Sequence, residues 1–180
     1  LNTCLYTNYL SQFSFLLLLC LFLPLKAQNT AAAQVNITLA PILSLEISQA
    51  TVNIDMSLPS QFTQGSSSSL QTDHIKVSTT SAYTISVNTS TANFELTGSS
   101  TTLAVNTVQL EVSPNVPSNV ITYTPIYLSP TSEVIIDSNA ETVTQTFNAQ
   151  YSIPNAKTHQ YLNRASGNYK TMVVYTIAPK

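Results

Sequence analysis

The sequence predicts an all-β chain folded as an antiparallel sandwich, and three observations carry that reading. Apolar residues recur at alternate positions in short runs from Val35 to Ile177, the period that buries one face of a strand. No stretch offers a sustained apolar stripe of helical period with caps. The composition leans the same way: 43% of residues are hydrophobic, 8% are charged, and 74 of the 180 are Ser, Thr, Asn or Gln, with 25 Thr against three Gly. That mixture favours strands and is apolar enough to bury a core, although it carries about a third of the usual charge.

The strands follow in order. Val35, Ile37 and Leu39 alternate with Asn36 and Thr38, Leu43, Leu45 and Ile47 follow Pro41, and Val52, Ile54 and Met56 alternate with Asn53 and Asp55. Pro59 to Gln71, which includes four consecutive serines after Gly65, has the composition of a loop. Ile75 and Val77, then Tyr83, Ile85 and Val87, make two strands with a turn at Ser81-Ala82. Phe94 and Leu96, Leu103 and Val105, and Val108, Leu110 and Val112 make three more, separated by Gly98-Ser99-Ser100 and Asn106-Thr107. Pro114, Pro117, Pro125 and Pro130 then crowd the middle of the chain. A central strand does not tolerate that density, so Ile121 to Leu128 is expected at an edge or in an irregular crossing. Val134 and Ile136 mark a short strand, Val143 to Ile153 a long one and Tyr169 to Ile177 another, with a loop from Pro154 to Asn168. No internal repeat and no second domain emerges.

Phe13 to Leu25 is an apolar run of 13 residues, short of the ~20 that span a bilayer and suited to a signal-peptide core. Leu25-Lys26-Ala27 supplies a small residue at a cleavage point. The expected organisation is a signal peptide over 1–27, an N-terminal extension or donor-type strand over 28–40, and a sandwich domain over 41–180. An N-terminal membrane anchor is the alternative that the length disfavours. Cys4 and Cys20 both fall in the leader, so the mature chain holds no disulfide and no thiolate metal site. A formal net charge of −2 with six scattered basic residues excludes an electrostatic footprint for nucleic acid or an anionic membrane.

Little in the chain suggests catalysis, and no cofactor is expected. His74 and His159 are far apart and lack the close pairing of zinc-binding histidines. His74, beside Asp73, reads as a surface residue at a strand start. The carboxylates are spread singly, and Glu46, Asp55, Glu95 and Glu111 alternate with apolar positions, which places them on the solvent side. A glycosidase pair formed across strands would lack any Trp to serve as a sugar platform. No Gly-x-Ser-x-Gly elbow or Gly-rich phosphate loop is present. Asn36-Ile37-Thr38 and Asn88-Thr89-Ser90 match a glycosylation pattern that chance supplies readily in so Asn- and Thr-rich a chain.

The C-terminal third carries a resemblance. Phe147-Asn148-Ala149-Gln150-Tyr151-Ser152-Ile153-Pro154, a polar loop, and then Ala165-Ser166-Gly167-Asn168-Tyr169 running on to Ile177 resembles the ending of spore coat protein U-like secreted proteins and archaic chaperone–usher pilins. Ile75 to Val87 is similar to the family's central hairpin, and Val35-Asn36-Ile37-Thr38-Leu39 to its N-terminal alternating segment. Unlike many members, the mature chain has no cysteine and little glycine. The resemblance implies an immunoglobulin-like sandwich that lacks one strand and receives the N-terminal segment of the next subunit in its place.

On that reading Val35, Ile37 and Leu39 fill the groove, at the ~6.8 Å repeat of alternate strand residues. Gly167, Tyr169, Val173, Tyr175 and Ile177 form the terminal-strand motif that borders it. The other reading of Val35 to Leu39 is a first strand paired within its own sheet. The function expected is a secreted, non-enzymatic structural or adhesive subunit of a cell-surface fibre or coat. It would pass through the periplasm and partner copies of itself or related subunits and a periplasmic chaperone, with no nucleic acid and no membrane span after leader removal. The alternative is a self-contained binding module for glycan or protein, using the Ser-rich stretch near Gly65 or the Tyr123, Tyr127 and Tyr161 region.

Overall fold

The computed structural model describes residues 30–99, 102–140 and 142–180; the expected leader, residues 1–27, lies outside them. The chain divides after Thr38 into two units. Of the first, residues 30–38 are described and hold no helix or strand. Val35 and Ile37 are 81% and 80% exposed there. Gln34 Nε2 donates to Asn36 Oδ1 at 2.8 Å, a contact between residues two apart.

The second unit is mostly strand, as the alternation requires. One sheet is ordered β1 (Leu43–Ile47), β3 (Gln71–Thr79), β11 (Thr142–Pro154), β7 (Gln109–Pro114) and β9 (Ile126–Tyr127), with β2 (Gly65–Ser67) paired to the end of β11. A second is ordered β13 (Val173–Pro179), β4 (Tyr83–Thr89), β10 (Glu133–Ser138) and β8 (Ile121–Tyr123). A small third sheet joins β12 (Tyr169–Lys170), β5 (Asn93–Leu96) and β6 (Leu103–Ala104). Every pairing among them is antiparallel. The all-β, sandwich-like class read from the sequence is the one observed, and Pro125 sits where the chain crosses from the edge of one sheet to the edge of the other.

The inner faces of the two large sheets share one core. Ile75 and Val77 of β3, Tyr83, Ile85 and Val87 of β4, Leu110 of β7, Ile136 of β10 and Phe147 of β11 are 0–1% exposed. Phe147 meets Tyr123 of the other sheet edge-on, with ring centroids 5.9 Å apart. Removing that ring is expected to cost about 3–5 kcal/mol, since a strand-bound backbone cannot collapse into the cavity. Phe147→Ala should therefore lower the urea unfolding midpoint far more than the same change at exposed Val143.

Neutral hydroxyls do the work that glycine does elsewhere. Thr79, Thr89 and Ser138, each 1–2% exposed, end β3, β4 and β10. Each donates its hydroxyl two residues on, to Ser81 O at 3.0 Å, Thr91 O at 2.8 Å and Ala140 O at 3.0 Å. The turn backbone is thus satisfied by the side chains that open it. Gly65 is the one place among the described residues where a Cβ would strike backbone, 2.4 Å from Ile153 O, at φ +93°.

Five local expectations need correction. Pro59 to Gln71 is not a loop: Pro59–Gln64 is a helical turn and a half, α1, whose start is closed by Gln61 Oε1 accepting from Leu58 N at 2.8 Å. Val52, Ile54 and Met56 are half-buried with exposed residues between them, yet they join no ladder. Val105 leaves its strand for a 3-10 turn, Val105–Thr107, and another such turn, Asn155–Tyr161, occupies the loop after Pro154. A bulge between Val134 and Ile136 leaves Val134 47% exposed and buries Ile135 and Ile136 together. The last predicted strand is broken at Thr171-Met172, so that β12 joins the small sheet and only β13 joins the large one.

Candidate functional site

Each large sheet ends in two edge strands, and the two ends differ. β8 and β9 are three and two residues long, with Pro125 between them and Pro117 and Pro130 close by. Short, proline-flanked edges resist pairing with another chain. β1 and β13, of five and seven residues, end the opposite sides of their sheets and contact each other. Neither has a ladder partner on its outer side among the described residues.

The side chains of these two edges lie on an uncovered flank of the core. Val173, Tyr175 and Ile177 of β13 are only half-buried, whereas their cross-strand neighbours on β4, Thr89, Val87 and Ile85, are 2%, 1% and 0% exposed. Across the gap, Leu45 and Ile47 of β1 are half-buried beside Val77 and Ile75, both 0% exposed. One layer of apolar side chains is therefore sealed by the sandwich, and the next is left partly exposed on two edge strands.

Polar groups lie under this flank. His74, on β3, is 2% exposed, and its ring meets Tyr175 of β13 at 5.7 Å and Tyr151 of β11 at 6.3 Å. The Tyr151 and Tyr175 hydroxyls are 2.5 Å apart, which ties the two sheets together. Burial lowers the His74 pKa and raises those of Tyr151 and Tyr175. The surface reading of His74 is corrected here. Asp73 adopts φ +52° and gives its N–H to Asn148 Oδ1 at 3.0 Å, while β11 breaks register between Phe147 and Ala149. The kink spoils the alternation, so His74 and Ile75 are both buried.

The expected terminal-strand residues divide. Val173, Tyr175 and Ile177 lie on the open flank. Gly167 (φ +149°) instead packs against Leu96, whose Cδ1 would lie 2.6 Å from an added Cβ. Tyr169 pairs with the same Leu96 and donates its hydroxyl to Ala165 O at 2.9 Å. The Gly167-x-Tyr169 turn thus serves the small sheet. Val35, Ile37 and Leu39 form no strand and are 80–90% exposed. Leu45, Ile47, His74 and Tyr151 were not singled out by sequence, because their role follows from which strands end the sheets.

Elsewhere the titratable side chains meet at most in pairs, Glu46 with Lys76 at 3.5 Å and Asp137 with Lys180. Glu46, Asp55, Glu95 and Glu111 are exposed, and no cluster of three His, Cys, Asp or Glu occurs among the described residues. Tyr161 is held by Thr107 at 2.8 Å, and Lys157 Nζ lies 5.1 Å from the centre of the Tyr127 ring. No family model matches the chain, and no curated protein matches it.

Proposed function

We propose that this chain is a secreted, non-enzymatic structural or adhesive subunit that assembles by strand donation: residues 35–39 of one copy pair along the outer edge of β13 of the next. The observation that carries the reading is the contrast across one ladder, where Val173, Tyr175 and Ile177 stay partly exposed beside fully buried neighbours on β4. An added strand completes the ladder of β13 through its backbone and covers those side chains with its own. Val35, Ile37 and Leu39 repeat at the same two-residue spacing and are exposed in the free chain. A donated strand is also consistent with the low charge, since neutral surfaces favour association over colloidal dispersion.

Partly exposed apolar residues on a seven-residue edge strand are an aggregation hazard before assembly. A periplasmic chaperone that lends a strand during transit is the partner this hazard calls for. The test is electrophoresis of surface-extracted native material in detergent, with and without boiling. The expected result is an unboiled ladder that collapses to monomer on heating, because the contact is non-covalent and kinetically slow. Monomer in both lanes, together with a monodisperse purified chain, overturns the proposal.

A further inference from the structure

We propose that His74 makes strand docking on the edge of β13 acid-sensitive, so that a strand laid beside Tyr175 is released as the imidazole gains its second proton. The inference rests on the strand-accepting reading above and specifies how that site is regulated.

The geometry fixes the neutral tautomer. Gln49 Nε2 donates to Thr72 O at 3.0 Å, which turns Gln49 Oε1 toward His74 Nδ1 at 2.8 Å. Because Oε1 only accepts, Nδ1 carries the proton and Nε2 presents a bare lone pair. That Nε2 is buried and has no hydrogen-bond partner among the described residues. A neutral ring tolerates this, but protonation would make Nε2–H a buried donor, and a cationic one, with nothing to receive it.

The surroundings offer no relief. Tyr151 from β11 and Tyr175 from β13 face the ring, both neutral at physiological pH and already bonded to each other. From the segment after β1 the facing group is uncharged Gln49. On β3 itself the Asp73 carboxylate accepts from Asn115 Nδ2, and Lys76 pairs with Glu46 at 3.5 Å, both partly exposed.

His74 contacts a residue on each side of the sandwich, and one of them, Tyr175, lies on the open flank. A strand laid beside Tyr175 removes water from that flank and makes the imidazolium costlier in the occupied groove than in the empty one. Proton binding and strand binding must then oppose each other, with up to a tenfold loss of affinity per pH unit below the empty-groove pKa. Burial lowers the His74 pKa, so the folded chain favours the neutral ring: folding stability is lost as pH falls below the unfolded value of 6.5, and strand affinity as it falls below the lower value of the empty site.

The test uses the full chain carrying Ile37→Asp, which keeps its groove free, and a synthetic peptide of residues 30–40. 15N-imidazole labelling resolves the two histidines of the chain, buried His74 and exposed His159. The expected results are that bound peptide lowers the His74 midpoint and that peptide affinity is lower at pH 5 than at pH 7. His74→Gln should flatten that dependence if it folds; the labelled titration decides the matter without it. Affinity equal at both pH values, or a His74 midpoint unmoved by bound peptide, overturns this inference alone. No binding at any pH overturns the strand-accepting reading and this inference with it, while leaving the His74 titration itself intact.

Discussion

Ile37→Asp is expected to abolish assembly while leaving a monomer that keeps its sheet signal in circular dichroism. Ile37 is 80% exposed in the free chain, so the substitution disturbs no packing there and the sandwich has no reason to unfold. In an assembled pair the same position faces the half-open side chains of β13 and β1. Burying Ile37 there contributes about 1.5–3 kcal/mol. An aspartate loses that and adds the cost of stripping water from a carboxylate. Together these effects weaken each junction by at least about 3 kcal/mol, roughly two orders of magnitude in affinity. Light scattering of the purified variant beside its thermal unfolding curve reads both halves of the prediction. If the variant instead unfolds, Val35 to Leu39 is a strand of its own sheet and the donation scheme is wrong.

How much of this was legible in the sequence depends on the distance over which each feature is decided. The strands β1, β3, β4, β7 and β11 are visible because alternation is local, and Phe147, Ala149, Tyr151 and Ile153 can be placed on one face from spacing alone. Features set by a partner elsewhere in the chain were hidden. Val52, Ile54 and Met56 alternate as a strand does, but no neighbour comes to pair with them. His74 should point outward by parity with Ile75 and is turned inward by a positive φ at Asp73, which Asn148, 75 residues away, helps to hold. The helix Pro59–Gln64 is too short to show an apolar stripe. The open flank is the extreme case: Leu45 and Ile177 look like any core residues until the sheet order shows that no further strand pairs beyond them among the described residues.

Strand donation is directional, and direction gives the second large effect. A head-to-tail contact uses two different surfaces on each copy, so it propagates without closing unless geometry forces a ring. A chain carrying Ile37→Asp cannot donate but still accepts. A chain carrying Ile177→Asp donates but cannot accept, since the carboxylate sits in the groove. Ile177 is half-buried, so the new charge reaches water in the free monomer, whereas the same change at its fully buried neighbour Ile85 would unfold the domain. Each variant alone is expected to remain monomeric. Mixed in equal amounts they should form heterodimers and stop there, because the dimer has spent its one intact strand on its one intact groove. Native mass spectrometry with one partner isotope-labelled would show mixed dimers with neither homodimers nor longer species. Association through a face-to-face patch predicts differently: both substitutions would fall on, or both outside, a self-complementary surface, and mixing would restore nothing that either variant lacked alone.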